Sequence, residues 1–286
     1  NYNVVVGDEA GTAITTGDQN VALGYGAGAA VTTGTRNTIV GALTGDAITT
    51  GANNEAFGYG ALTTNILGSR STAIGTAALL TQNPASAVDM YNVAVGYSAG
   101  ETVTTGIRNT LVGSLAGDAL TTSIDNVAIG SHALSTETTG KYSTAVGQGA
   151  LFTQNVGSDA SVYNTAVGYN TGNLITTGLK NTLMGGLAGD AITTGGSNVI
   201  IGYLSGSSGT NLTTGTGNVL LGSDADASAS DSDYANVIGY DVTGAGGYTT
   251  LGKSGDDIRA AHGTATWATV SDQRYKKDIV DSTAGL

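Results

Sequence analysis

Short runs of alternating hydrophobic and polar positions recur along the whole chain, and each run ends on a glycine. N-V-A-L-G at 20–24 and N-T-L-V-G at 109–113 are two examples. Such short, β-branched segments that end on a turn residue predict β-strands. The recurrent I-T-T-G and V-T-T-G segments predict a second short strand that ends in a turn. A helix would need apolar residues at helical spacing, and so many glycines would weaken it.

The spacing of these runs predicts a stacked architecture. The closing glycines follow one another at a constant interval, as at positions 7, 24, 41, 58 and 75, and the interval widens after Gly75, Gly147 and Gly202. We expect each unit to form one coil of two strands and two turns, so that the chain is all-β and builds a parallel β-roll or β-solenoid. Four positions before the glycine lies an asparagine in eleven of fifteen units, with Ser71 and Ser143 as replacements. Stacked asparagines predict a hydrogen-bonded ladder; its expected members are Asn20, Asn37, Asn54, Asn92, Asn109, Asn126, Asn164, Asn181 and Asn198.

A longer period, equal to four coils, lies on top of the coil repeat and indicates duplication of a four-coil block. The two longer loops, 80–91 and 151–163, occur once per block. The residues that recur at this longer interval are Arg36, Arg108 and Lys180, then Asp46, Asp118 and Asp190, and Ser71 with Ser143.

Composition limits the kind of core and of partner. The 286 residues include 46 Gly and no Cys, and only 11% are charged. The net charge of −12 argues against a nucleic-acid partner, which requires a basic surface. The sequence contains no run of about 18 apolar residues, so we do not expect membrane insertion. Because a narrow coil cannot cover the apolar face of its second sheet, we expect self-association into a parallel homo-oligomer.

The repeats resemble those of phage tail fibres. N-T-A-V-G-Y-N-T-G-N-L-I-T-T-G at 164–178 is similar to fibre repeats, and the N-x-x-x-G core is similar to the heads of trimeric autotransporter adhesins. The resemblance implies a homotrimer, either intertwined or side by side. It also implies a virion tail location, contacts with other tail or baseplate proteins, and binding to a host-surface glycan or protein.

The end of the chain resembles a different element. W-A-T-V-S-D-Q-R-Y-K-K-D-I at 267–279 is similar to the junction before the self-cleaving endosialidase-type intramolecular chaperone of tail fibres. The resemblance implies a Ser271–Lys276 autocleavage dyad, with Asp272 and Arg274 completing the motif. A neighbouring base is what makes a serine hydroxyl nucleophilic. We therefore divide the chain into a repeat shaft at 1–252, a neck at 253–270 and the start of the chaperone at 271–286, where cleavage would require the full chaperone domain.

The longer loops are the candidates for receptor contact, because they extend beyond the regular coil. Their candidate residues are Gln82, Asn83, Tyr91, Gln154, Asn155 and Tyr163. His132 and His262 are interpreted as surface residues. The acidic cluster at 224–233 does not match a calcium motif, so we expect neither a metal nor a cofactor.

Two alternative functions stay open. A bacterial trimeric surface adhesin would use the same repeats but would carry a C-terminal membrane anchor. A polysaccharide-degrading tailspike would need two carboxylates about 5–10 Å apart. The shaft itself is not expected to be an enzyme, since its acids recur with the block as structural copies do.

Overall fold

A computed structural model describes residues 2–264 and 268–269 of the chain. This part is all-β without any helix and forms a parallel β-solenoid of about 15 turns. Accordingly, it has no helix long and apolar enough to cross a membrane.

The main wall of the solenoid consists of one short strand from each coil. Each of the first thirteen strands has three residues, and each pairs in parallel with the next. They are β1 (Val4–Val6), β2 (Val21–Leu23), β3 (Thr38–Val40), β4 (Glu55–Phe57), β5 (Thr72–Ile74), β6 (Val93–Val95), β7 (Thr110–Val112), β8 (Val127–Ile129), β9 (Thr144–Val146), β10 (Thr165–Val167), β11 (Thr182–Met184), β12 (Val199–Ile201) and β13 (Val219–Leu221).

The register of this wall follows the sequence repeat. Val4 pairs with Val21 across a coil of the common length, and Ala73 pairs with Ala94 across one of the longer coils. From β2 onward, the middle residue of each strand is buried and its two neighbours face outward, as expected from the alternation of side chains along a strand. The core is therefore a narrow column of alanine, leucine, isoleucine and valine side chains.

The prediction of a second strand in every coil was wrong. The T-T-G segments are bends, because two donors of one coil share a single acceptor of the next. The amides of Thr15 and Gly17 both donate to the carbonyl of Thr32, each at 3.0 Å. A shared acceptor holds the coils together without forming a ladder of paired residues. A second, two-stranded sheet occurs near the end of the solenoid, where β14 (Asp226–Ala227) pairs with β16 (Thr243–Gly244).

The glycine that closes each strand is required by the stacking. Gly24 has a φ of 133°, and a Cβ at this position would lie 2.5 Å from the carbonyl oxygen of Gly41 in the next coil. A side chain would therefore collide with backbone that cannot move aside. Close approach of successive coils explains why the sequence returns to glycine here.

The parallel stack ends in an antiparallel hairpin. Strand β15 (Asn236–Tyr240) pairs in parallel with β17 (Tyr248–Lys253), after which β18 (Asp256–Ala261) and β19 (Ala268–Thr269) run antiparallel to their neighbours. The expected shaft boundary at residue 252 thus lies inside β17. The four residues of the expected autocleavage motif, Ser271, Asp272, Arg274 and Lys276, lie outside the described residues.

Candidate functional site

Buried asparagines form a continuous ladder along one corner of the solenoid. The Nδ2 of Asn37 donates to the carbonyl of Gly51 at 2.9 Å, and its Oδ1 accepts from the backbone amide of Asn54 at 3.0 Å. Bonds of this kind recur along the column, and all nine expected asparagines are buried. Asn3 and Asn218 continue the pattern at the two ends. This ladder satisfies backbone groups inside the coil and is a structural element.

The first interruption of the ladder is filled by a side chain from further along the chain. Ser71 lacks the amide that an asparagine would offer to Asn92. The Oε1 of Gln82 takes its place, accepting from Nδ2 of Asn92 at 2.9 Å, while Nε2 of Gln82 donates to the hydroxyl of Ser71 at 3.0 Å. Gln82 is fully buried and cannot contact a receptor. The prediction that Gln82 contacts a receptor was therefore wrong.

The second interruption repeats this arrangement and adds a carboxylate. Gln154 is buried between Ser143 and Asn164, with bonds of 3.0 and 2.9 Å, so it is also excluded from a receptor surface. Its Nε2 additionally lies 3.1 Å from Oε2 of Glu137. Glu137 is fully buried, and its other oxygen accepts from three backbone amides of the 138–140 turn. The sequence does carry a signal for these glutamines, since each one follows a ladder serine at the same distance along the chain.

The remaining candidates of the longer loops are exposed. In the first loop Asn83 and Tyr91 face solvent, and Arg70 joins the end of the loop to the preceding coil. The Arg70 guanidinium lies 2.9 Å from the carboxylate of Asp89 and 5.6 Å from the centre of the Tyr91 ring. This is an exposed cluster of a cation, an anion and an aromatic ring.

The second loop presents a different surface. Asn155 and Tyr163 are exposed, and the Tyr163 ring stacks on Tyr142 with centroids 5.2 Å apart and an interplanar angle of 10°. Lys141 pairs with Asp159 of the loop. The second loop thus offers a flat aromatic pair where the first offers an arginine.

The most extensive exposed feature is an apolar stripe on the outward face of the main wall. The third residue of every parallel strand from β1 to β13, and of the corresponding position in β15, is a large apolar residue. Met184 is 49% exposed and Ile129 is 39% exposed. The stripe comprises Val6, Leu23, Val40, Phe57, Ile74, Val95, Val112, Ile129, Val146, Val167, Met184, Ile201, Leu221 and Ile238.

Tyrosines widen this stripe along one side. They occur two positions after the stripe residue in six coils, and their exposed fractions range from 50% to 60%. They are Tyr25, Tyr59, Tyr97, Tyr169, Tyr203 and Tyr240. An apolar outer face was expected on the second sheet of each coil, whereas it lies on the main wall, and the aromatic column was not predicted.

A notch lies on the outer surface near the middle of the shaft. Its volume is about 320 Å³, and it is lined by His132, Gln148, Gly149, Phe152 and Asn173. His132 is half-buried here rather than an ordinary surface residue, and its ring centroid lies 6.0 Å from that of Phe152. Residues from three successive coils meet at this point. Their proximity was not predicted from the sequence.

Within the described part of the chain, the aspartates that recur with the block are too far apart to form a catalytic pair. Asp46, Asp118 and Asp190 occupy the same place in coils that are four steps apart, which corresponds to roughly 19 Å at the usual strand spacing. A glycosidase requires about 5–10 Å. In the cluster at 224–233, Asp226 accepts from Ser208 and Gly209, and Asp233 accepts from Thr216. Within the described part of the chain, no group of three or more His, Asp or Glu side chains could hold a metal ion.

The fold and these surfaces together define the class: a parallel β-solenoid with a buried asparagine ladder and an exposed apolar wall. No family model, no curated protein and no solved structure matches this chain.

Proposed function

We propose that this chain is the shaft of a phage tail fibre, in which three parallel copies associate through the apolar stripe and attach the virion to a host surface. The observation that carries the proposal is the unbroken row of outward-facing apolar side chains along the main wall. The number three and the phage assignment come from the resemblance of the repeats.

The size of the stripe supports association with other protein. Fourteen strands at the usual spacing give a length of roughly 60 Å, and the wall is two outward side chains wide. At a width of about 10 Å this is roughly 600 Å² per copy before the tyrosine column is added, which reaches the upper end for a soluble monomer. Stable interfaces bury about 800 Å² on each partner, so the stripe and tyrosines together have a suitable area.

The character of the stripe favours a second copy of the same chain as the occupant. Among the outward residues of β1 to β13 and of the matching part of β15, Glu55 is the only charged one. The other outward column is mostly valine and threonine, so the wall is flat and even. Copies aligned in parallel would place the same coil of each chain at the same height, which matches the stripe residue by residue.

The longer loops support a role in attachment. They carry exposed aromatic, amide and charged groups away from the ladder, which are the groups that bind surface glycans and proteins. Each loop would occur three times in a trimer, so that weak contacts would add through avidity. Maturation through Ser271 and Lys276 stays a prediction from the resemblance.

The test is the mass of the assembled protein in solution. We expect the purified chain to have a native mass of three chains by native mass spectrometry. The double variant Val112→Glu/Ile129→Glu places two carboxylates on the stripe and should dissociate the assembly, because buried unpaired charges are strongly destabilising.

A matched control keeps the added charge but changes its location. Thr105 and Thr122 are exposed residues of the T-T bends in the neighbouring coils. The double variant Thr105→Glu/Thr122→Glu should retain the native mass of the parent. A parent protein that is monomeric, or a stripe variant that stays assembled, contradicts the proposal.

A further inference from the structure

The notch at Phe152 lies in the duplicated part of the shaft, so the other copy provides an internal reference. All five lining positions differ from their counterparts one block earlier, while several positions beside them are unchanged. The first copy has Gly60, Thr76, Ala77, Leu80 and Glu101 where the second has His132, Gln148, Gly149, Phe152 and Asn173. The unchanged pairs nearby are Ala78 and Ala150, Leu79 and Leu151, Thr81 and Thr153, Gln82 and Gln154, and Asn83 and Asn155.

This divergence falls on the surface that forms the notch. Ala150, Leu151 and Gln154 are buried and hold the coil together, which explains why they are retained. The lining residues are not needed for the fold, since the first copy forms the same coil with different residues at these positions. The coil therefore places no structural demand on these five positions, which are free to carry a binding function.

One lining residue is a glycine that lies against a side chain of the next coil. Gly149 has a left-handed backbone with a φ of 65°, and the residue one coil earlier in the same place is His132. The first copy carries Ala77 at this position with a φ of 59°, so the backbone accepts a side chain there. A Cβ at Gly149 would collide with Oδ1 of Asn170 in the next coil, so the glycine lets this side chain pack against the backbone at the edge of the notch.

The lining combines an aromatic wall with hydrogen-bonding groups, and it contains no carboxylate, lysine or arginine. The Phe152 ring is tilted by 55° to the imidazole of His132. Nδ1 of His132 lies 2.9 Å from the hydroxyl of Ser131, and Nδ2 of Asn173 donates to the carbonyl of Gly149 at 3.1 Å. These bonds fix two of the polar side chains in place, so the notch is preformed.

We infer that this notch binds a single neutral sugar ring, such as a hexose or its N-acetylated form. One face of a hexose presents C–H bonds, which rest favourably against the electron-rich face of a phenyl ring. Its hydroxyls both donate and accept, as do the amides of Gln148 and Asn173. A volume of about 320 Å³ accommodates one ring with its substituents and no longer chain.

The inference deepens the proposed function and rests on it for the source of the sugar, which would be a terminal or branching unit of a host-surface glycan. One notch per chain would give three equivalent sites at the same height in a trimer. A single site of this size binds weakly, and repeated sites on one particle would supply the avidity needed for attachment.

The experiment is saturation-transfer difference NMR on the assembled protein, with glucose, galactose, rhamnose and N-acetylglucosamine as separate probes. We expect signal transfer to at least one of the four. The variants Phe152→Leu and Gln148→Thr carry the residues of the first copy and should fold as the parent does. Together they should weaken binding of that sugar about ten-fold or more, through loss of the aromatic wall and one amide.

A control in the other copy excludes a general effect of adding or removing an aromatic ring. Leu80→Phe introduces the ring into the first copy, which still lacks the glycine and the two amides, and it should leave sugar binding unchanged. No transfer to any of the four sugars, or equal transfer with the double variant, overturns the inference.

The two proposals fail separately. A monomeric parent protein that binds a sugar in a manner dependent on Phe152 would contradict the trimeric fibre but support sugar binding at the notch. An assembled trimer that binds none of the sugars would support the fibre but contradict sugar binding at the notch.

Discussion

The coil that contains Gln82 and the coil that contains Gln154 are copies of one another, and they share an interior while their outer surfaces differ. Inside, both use a serine, a glutamine and an asparagine in the same hydrogen-bonded order. Outside, one carries an arginine beside a tyrosine and the other carries two stacked tyrosines. The interior of a coil is fixed by the coils above and below it, whereas the exterior is free to acquire new chemistry.

Within the interior itself, the copies differ in how much depends on the glutamine. Gln82 serves Ser71 and Asn92, while Gln154 also contacts the buried carboxylate of Glu137. In the first copy the position of Glu137 is occupied by Asn65, whose side-chain amide bonds to Gly68. The second copy therefore places a charge where the first places a neutral group.

The largest expected effect follows from breaking these interior networks. Gln82→Ala should lower the free energy of unfolding by about 1–3 kcal/mol, because it leaves buried polar groups without partners. Gln154→Ala should cost more, since a buried carboxylate also loses a donor. Urea unfolding followed by circular dichroism measures both.

A rescue variant sharpens this prediction. Adding Ser71→Asn to Gln82→Ala restores the amide that the shorter coils use at this position. The double variant should recover at least half of the lost stability. Unfolding midpoints that are equal for the parent and both single variants would show that the glutamines do not support the ladder.

A smaller effect depends on pH and compares Asp46 with its copy Asp118. Asp118 accepts a hydrogen bond from Ser135, whereas Oδ1 of Asp46 is buried without a partner within the described part of the chain. Burial raises the pKa of Asp46. The neutral form is therefore favoured in the folded state, and this contribution to stability is present below the ordinary carboxyl pKa and is lost as the pH rises.

Asp46→Asn should accordingly stabilise the protein at pH 7 and have almost no effect at pH 3. Because the carboxyl is partly exposed, we expect a gain below about 1 kcal/mol at pH 7. Asp118→Asn should produce no gain at either pH. Thermal unfolding at the two pH values measures both variants, and an equal gain at pH 3 and pH 7 would contradict the electrostatic explanation.

The smallest effect concerns another pair of copies on the outer surface. Arg108 forms an ion pair with Asp125 at 2.7 Å, whereas its counterpart Arg36 donates to the neutral side chain of Asn53. A hydrogen bond from Arg108 lowers the pKa of Asp125. The stability of this pair is thus present above the ordinary carboxyl pKa and is lost as the pH falls through the lowered value.

Asp125→Asn turns the second copy into the first and should cost well under about 1 kcal/mol at neutral pH and low salt. The loss should shrink in about 1 M salt, which screens exposed charges. Asn53→Asp is the reverse change and should give a gain of similar size with the same salt dependence. Unfolding that is insensitive to salt in both variants would exclude an ionic contribution.

Sequence reasoning predicted the features of the fold that repeat. The constant interval between closing glycines, with its wider steps after Gly75, Gly147 and Gly202, predicts the register of the parallel strands, and the asparagine column predicts a ladder. The second strand was predicted wrongly because the T-T-G segment has the composition of a strand, while its pairing depends on acceptors in the next coil. The carbonyl of Thr32 accepts from the amides of both Thr15 and Gly17, and this shared acceptor is visible only in the folded structure.

The features outside the repeat were harder to predict. Gln82 and Gln154 stand at the start of loops in the sequence, and only the return of the chain brings each of them next to an earlier serine of the ladder. The notch requires His132, Phe152 and Asn173 from three coils to meet, which only the stacking of the coils brings about. Alignment of the two blocks against each other would have revealed these positions.

The closing glycine of each coil also governs how the gene for such a shaft can change. Since a Cβ at Gly24 would collide with the carbonyl of Gly41, a deletion of a few residues within a coil of the common length would put a larger side chain into this contact. Recombination that removes or inserts a whole repeat keeps the alignment. The length of the rod can therefore evolve only in increments of one coil, and the distance that the shaft spans is a whole number of coil heights.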